Sequence, residues 1–207
     1  MKGWNGRLLR VDLTKGKTAF QEYSSDLATR FVGGRGFAVK LLWDELTPGT
    51  NPLSPENMLI FATGPLTGFI LPNSGKMVVA SKSPLTGGYG DGNVGTQASV
   101  NLRRSGIDAV VITGRAERPS YLFVEDGRAE IRDAADLWGL DAFKAERRLK
   151  EEHGREAGVV LIGPAGENQA RIATVVSQEG RAGGRPGMGA VMGSKNLKAL
   201  VFHGTRE

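Results

Sequence analysis

Apolar and polar residues alternate through GRLLRVDLTKGKTAFQEY on either side of a Thr-Lys-Gly turn. That period of two predicts a β-hairpin pairing Leu8–Leu13 with Lys17–Glu22. The period then changes. DLATRFVG predicts a short helix, capped by Ser25 or Asp26 and ended by Gly33 and Gly34, and FAVKLLWDEL carries apolar residues at helical spacing until Pro48. A Pro/Gly/Asn loop, TPGTNPLSPEN, leads into MLIFAT, which predicts a buried strand. Two near-copies follow, GPLTG at 64–68 and SPLTG at 83–87, with KMVVASK between them. In each, proline fixes φ and glycine is free to take positive φ, which suggests two similar strand-to-loop corners.

GYGDGNVGTQASVNLRRSG predicts a glycine loop running into a short helix. AVVITG, SYLFVED and RAEIRD predict strands, the last two joined by an Asp-Gly hairpin turn. LDAFKAERRLKEEHG is the clearest helix, with Asp141 as cap, Phe143 and Leu149 facing inward and Gly154 as stop. GVVLIG and RIATVVS predict strands flanking a PAGENQ turn. A second glycine loop, GRAGGRPGMGAVMG, precedes a closing strand, LKALVFHG. Strands outnumber helices and do not alternate with them one for one, so the expected fold class is α+β.

Composition narrows the class. At 207 residues, 40% apolar and 24% charged, the chain has the make-up of a soluble globular protein with a sizeable core. Its 30 glycines are about twice the usual share and gather at 33–36, 87–95 and 180–193, which marks specific loops. A net charge of +5 favours anionic partners. With no cysteine, the chain brings no disulfide, zinc-thiolate or iron–sulfur ligand of its own. No apolar run approaches the ~20 residues that span a bilayer, and MKGWNGRLLR lacks the apolar core of a secretory signal. The expectation is a cytoplasmic protein without a membrane partner.

Main-chain N–H groups in a glycine-rich turn can cradle an anion, and the stretch from Gly180 is a candidate. The known fingerprints do not fit it. Gly187-Met188-Gly189 would need glycine where Met192 stands, and Gly193-Ser194-Lys195 has the wrong order for a Walker A loop. Arg181 and Arg185 could flank an anion with their guanidinium forks, or be solvated surface charges. Asn93 could ligate a hard cation or cap the helix after it. Lys76, near the first PLTG corner, reads as a surface cation. His153 and His203 lack ligand-spaced partners, no Gly-x-Ser-x-Gly elbow exists, and Glu151 and Glu152 end a solvated helix face. The residues alone therefore describe an α+β domain with anion-binding loops and no nucleophile.

GWNGRLLRVDLT, VGGRGFAVKLLWDE, PLSPENMLIFATGPLTG, SKSPLTG, GPAGEN and RAGGRPGMGAVMGSKNLKAL occur here in order. In that order and spacing the chain resembles the N-terminal domain of the aldehyde:ferredoxin oxidoreductases, from its first residues to about residue 203. The resemblance implies a single domain, 1–207, of two β-sheets related by a pseudo-twofold axis with a few flanking helices. It implies a seat for tungstopterin: tungsten, or less often molybdenum, held by the dithiolenes of two molybdopterin-type pterins, with Mg2+ bridging their phosphates. Arg181, Ala182, Gly184 and Arg185 would line one pterin and Asn93 with Gly95 the other. The carbonyls of Asn93 and Ala182 would be magnesium ligands, which suits a hard cation.

The family reaction implied is oxidation of an aldehyde to a carboxylic acid with ferredoxin as electron acceptor. Two departures stand out. Ser74-Gly75-Lys76-Met77 replaces a usual Gly-Gly-Arg-Tyr, so Lys76 keeps the charge between pterin and cluster but loses the planar fork. Gly92-Asn93-Val94-Gly95-Thr96 replaces Ala-Asn-Ser-Gly-Gly. Family members continue for several hundred residues, and that part carries the cysteines of a [4Fe–4S] cluster. The cluster is therefore expected only with those C-terminal domains or a partner subunit, and the isolated chain is expected to be inactive. The alternative is a non-enzymatic phosphate, nucleotide or nucleic-acid binding module. Aromatic residues are few and not interleaved with the basic ones, which argues against nucleic acid.

Overall fold

The structure, a computed structural model, describes residues 3–206. The stretch read above as lacking a leader starts at Met1 and Lys2, which with Glu207 lie outside the described residues. The first hairpin forms, β1 (Arg7–Asp12) antiparallel to β2 (Lys17–Glu22), but its first strand is displaced by one residue from the predicted Leu8–Leu13, so that Arg7 and not Leu8 faces Glu22. Helix α1 (Ser25–Phe31) is capped by Ser24, whose hydroxyl accepts from the Leu27 amide, so the capping residue lies one position before the predicted one. Helix α2 (Arg35–Glu45) leads to β3 (Leu59–Thr63) and β4 (Lys76–Lys82).

The predicted glycine loop before the next helix is instead an edge strand, β5 (Tyr89–Gly95), paired residue for residue with β4. Helix α3 (Gln97–Arg104) and β6 (Ala109–Thr113) complete the first half. The second half runs β7 (Ser120–Glu125), β8 (Arg128–Asp133), α4 (Ala142–His153) and β9 (Gly158–Leu161). It continues through α5 (Pro164–Glu167), β10 (Val175–Ser177), β11 (Arg181–Gly183), α6 (Met188–Ser194) and β12 (Leu197–His203). The PAGENQ turn is thus a short helix, and only the end of RIATVVS is strand. In α4, Asp141 caps and Leu149 is buried as expected, but Phe143 is 54% exposed. It stands in the first turn, at the edge of the apolar face, beside Gly180.

The strands form two six-stranded mixed sheets, ordered β2-β1-β6-β3-β4-β5 and β8-β7-β12-β9-β10-β11. Adding six to each strand of the first order gives the second. The senses match too, since β1–β6 and β7–β12 are the parallel pairs and every other neighbour is antiparallel. Equivalent edges touch, β5 against β11 and β2 against β8. The inner helices also reach across: α3 of the first half packs on β9 and β12 as well as on β3 and β4, and α6 of the second on β3 and β4 as well as on β12. This is the expected two-sheet pseudo-twofold plan. The two PLTG corners are not its equivalents, because both belong to the first sheet, at opposite ends of β4. The true counterpart of Gly64-Pro65 after β3 is Gly163-Pro164 after β9.

Between the sheets lies the main core, with Leu59, Phe61, Leu102, Val160, Met192 and Phe202 among its residues. Helices α1 and α2 cover the outer face of the first sheet around Phe37, and α4 covers the second around Leu149. The basic, apolar run SKNLKAL sends both lysines into this interior. Lys195 is buried and donates to the carbonyls of Pro55 (3.0 Å) and Gly114 (3.1 Å), tethering the second half to two loops of the first. Burial pushes its ammonium down from 10.5 to about 8.

Between those values an unfolded chain keeps the proton that the folded chain has lost, so stability rises with pH. From pH 8 to 10 the gain is roughly 2–3 kcal/mol. Above 10 it is opposed by Tyr23 and Tyr89, whose hydroxyls burial holds protonated beyond their ordinary range. Urea unfolding should record the rise in the natural chain and its absence in Lys195→Met. Parallel curves for the two proteins would disprove it.

Candidate functional site

The seam between β5 and β11 brings together two glycine-rich stretches that lie far apart in sequence. Glycine is required there by contact. A Cβ on Gly92 would stand 2.1 Å from the nitrogen of Gly184, and one on Gly183 would stand 2.8 Å from the Asn93 carbonyl oxygen. The edge strands therefore meet main chain against main chain. Gly184, with φ +76° and Met188 and Val79 against its α-carbon, turns the chain away from β11 inside the seam.

Hydrogen-bond register relates the candidate residues to one another. Across the first sheet one rung runs Gln21, Leu8, Ala109, Ala62, Val78, Asn93. Across the second, the matching rung runs Arg132, Tyr121, Ala199, Leu161, Val176, Ala182. Asn93 and Ala182 thus hold equivalent places in the two halves. Two residues further on the halves differ: Gly95 is still paired in β5, and Gly184 has already turned out of β11. The sequence alone offers no sign of the matching rungs, because the halves share a strand order and not a visible repeat.

Asn93, Arg181, Ala182 and Arg185 are exposed, Gly95 is half-buried, and Gly184 is buried in the seam. Lys76 is exposed and pairs with Gly95 across the ladder, its stem running along that glycine. Arg181, Arg185 and Lys76 have no carboxylate within ion-pairing distance among the described residues, so three uncompensated cations surround the seam. Asn93 does not cap α3: Thr96 holds the cap position, without a side-chain bond. Gly95 differs from the seam glycines. Its φ is ordinary and a Cβ would make only a 3.5 Å contact with Lys76, so the fold does not need glycine there. Its bareness leaves an open ledge beside a cation, a cradle that a side chain would fill.

No cluster of three or more His, Cys, Asp or Glu side chains suited to a metal occurs among the described residues. His153 stacks on Phe123 at 4.4 Å and lies 3.1 Å from the Tyr121 hydroxyl, and burial lowers its pKa; it is a core histidine. Hard-cation ligands at the seam would have to be oxygens of the main chain, with an anion supplying the charge. No helix among the described residues is long and apolar enough to cross a membrane.

Sequence reasoning missed a set of charged residues behind the seam. Arg35, at the start of α2, forms a two-pronged ion pair with Asp91 of β5, and the Tyr89 hydroxyl donates to the same carboxylate at 2.9 Å. The arginine holds that carboxyl below its usual range. The glycine cluster at 33–36 was the one signal that could have pointed to Arg35. Glu146 of α4 sits behind the turn before β11 and had no signal beyond a helix face.

The family described as "Aldehyde ferredoxin oxidoreductase, N-terminal domain" matches residues 8–204. The chain is 46% identical over 205 residues to the tungsten-containing aldehyde ferredoxin oxidoreductase of Pyrococcus abyssi, covering 99% of this chain and 34% of that protein. It is 38% identical to the aliphatic sulfonate oxidoreductase, WOR-like subunit, of Pyrococcus furiosus, covering 99% of this chain and 35% of that one. Among solved structures it matches the active site complex BamBC of benzoyl coenzyme A reductase in complex with 1,5 dienoyl-CoA. There the TM-score is 0.95 at 36% identity, over all of this chain and 32% of that one. The chain spans about a third of the length of the curated relatives it matches.

Proposed function

Because the chain belongs to the aldehyde ferredoxin oxidoreductase family through its N-terminal domain, we propose that it is the cofactor seat of a tungsten-containing, bis-pterin oxidoreductase. The observation that carries this reading is the seam: two equivalent edge strands, main chain to main chain, with three unpaired cations around them. In this reading the carbonyls of Asn93 and Ala182, at matching rungs, would hold a magnesium ion that offsets the charge of the cofactor's phosphates. Arg181 and Arg185 grip the phosphates with paired N–H groups. Gly95 lets one pterin lie close to the strand, and Gly184 turns the chain so that Arg185 follows at once. Lys76 sets a single positive charge beside that ledge.

The bound metal centre would supply the redox chemistry, oxidation of an aldehyde to an acid with two electrons passed to ferredoxin. The chain's own residues bind and orient; none of them is placed to move a proton or attack a carbonyl. Cluster cysteines and acid–base groups belong to further domains or a partner subunit, and the chain alone is inactive. Molybdenum is the alternative metal. Relatives whose names carry an aldehyde, a sulfonate and a dienoyl-CoA match this domain over nearly its whole length. That breadth supports a domain that holds a cofactor and leaves substrate choice to other parts.

Two substitutions in the complete, cofactor-loaded enzyme test the assignment. Arg185→Ala removes a phosphate clamp and should lower tungsten and phosphate per polypeptide about tenfold or more. Gly95→Val should leave the melting temperature within a few degrees, since the φ of Gly95 suits any residue and its Cβ would meet only the flexible stem of Lys76. It should nonetheless cut cofactor content by filling the ledge. Full tungsten occupancy in both variants would end the seat assignment.

A further inference from the structure

Strand β11 begins at Arg181 directly after a turn that is held open by another element. Ser177 and Arg181 are ladder partners, so only Gln178, Glu179 and Gly180 connect the two strands. All three have positive φ, 44°, 56° and 115°, and the first two are not glycine. Side chains with a Cβ adopt that region reluctantly and persist there only when their surroundings enforce it. The enforcement comes from α4. Glu146, almost wholly buried, accepts the Gln178 amide on one carboxylate oxygen at 3.0 Å and the Glu179 amide on the other at 2.9 Å. Lys150, one turn on, lies 3.1 Å from the same carboxylate and balances its charge.

The turn also reaches the other half. The Gln178 side-chain oxygen accepts the amide of Gln97, the first residue of α3 and two residues past Gly95. One carboxylate therefore orders the approach to Arg181 and Ala182 and, through Gln178, the exit from Gly95. The first half has a matching device, in which Arg35 of α2 grips Asp91 two residues before Asn93. In both halves an outer helix uses a charged side chain close to the candidate residue: Arg35 at Asp91 within β5, and Glu146 at the turn amides of Gln178 and Glu179, four and three residues before Ala182.

We infer that Glu146 is a positioning residue for the seam: by accepting both turn amides it sets where Arg181 and the Ala182 carbonyl point, without touching the ligand. The inference rests on the cofactor reading above. In the complete enzyme, Glu146→Gln replaces one acceptor oxygen by a donor facing an N–H. Hydrogen exchange at the 178–179 amides should quicken roughly 10- to 100-fold, the worth of bonds to a charged acceptor. Tungsten per polypeptide should fall, since loss of a group that orients metal-site ligands typically weakens metal binding about 10- to 100-fold.

Adding Glu179→Gly, which takes positive φ freely, should restore much of the lost tungsten although the buried charge stays absent. Leu149→Val, on the same helix, is the control for plain destabilisation. The inference is overturned if exchange quickens and tungsten stays at the natural level, if Leu149→Val loses as much tungsten, or if Glu179→Gly restores none. Full tungsten in Arg185→Ala would instead remove the cofactor reading, and the inference with it.

Discussion

Lys198→Ala is expected to destabilise the folded chain by about 3–5 kcal/mol, the usual result of removing one member of a buried ion pair. Lys198 is fully buried in β12, and its ammonium meets the Glu167 carboxylate at the end of α5, with a second bond to the Leu140 carbonyl at 2.9 Å. Glu167 is nearly as buried and also accepts the Gly139 amide. Without the lysine, a carboxylate remains in the interior with one neutral donor. The pair also joins two sequence blocks that look independent, GPAGEN and SKNLKAL, into one contact. Lys198→Met with Glu167→Leu should recover part of the loss, because no bare charge is left. Urea unfolding of the three proteins measures this; a loss below about 1 kcal/mol, typical of an exposed pair, would show that the contact carries little.

Gly92→Ala should be severely damaging for the addition of one methyl group. Its Cβ would sit on the nitrogen of Gly184 and 2.8 Å from that residue's α-carbon, and main chain cannot swing aside as a flexible side chain does. Overpacking a core commonly costs about 1–3 kcal/mol and more where neighbours are fixed. Here relief requires β5 and β11 to separate, so the loss should exceed that range or abolish folding. The comparison with Gly95→Val is the informative one. It sets a glycine demanded by close approach against one that the fold does not need. Equal melting temperatures for the two variants would contradict the seam as described.

Much of the architecture could be read from residue pattern, for reasons that differ by element. The β1–β2 and β7–β8 hairpins and the Asp141-capped helix follow from local periodicity and turn chemistry, which need no knowledge of the rest of the chain. Strands β5 and β11 were illegible because glycine has little strand preference of its own. They are strands because β4 and β10 present unpaired edges, a tertiary fact. Lys195 and Lys198 misled in the other direction, since lysine is ordinarily a surface residue and only the carbonyls and carboxylate around them explain their burial. Phe143 was assigned inward from helical spacing, but it lies in the first turn of α4 beside Gly180 and stays exposed. For the site, residue types suggested an anion cradle and the family likeness suggested which residues form it. That Asn93 and Ala182 stand on matching rungs of the two sheets required coordinates.

The shared core makes the two halves depend on one another. A single six-strand unit cut from this chain would strip part of the cover from Leu59, Phe61 and Val79, because the core they sit in is built from both sheets and α6 comes from the other unit. An isolated half would therefore present an apolar face that a second copy could cover about a two-fold axis, identical surfaces facing each other.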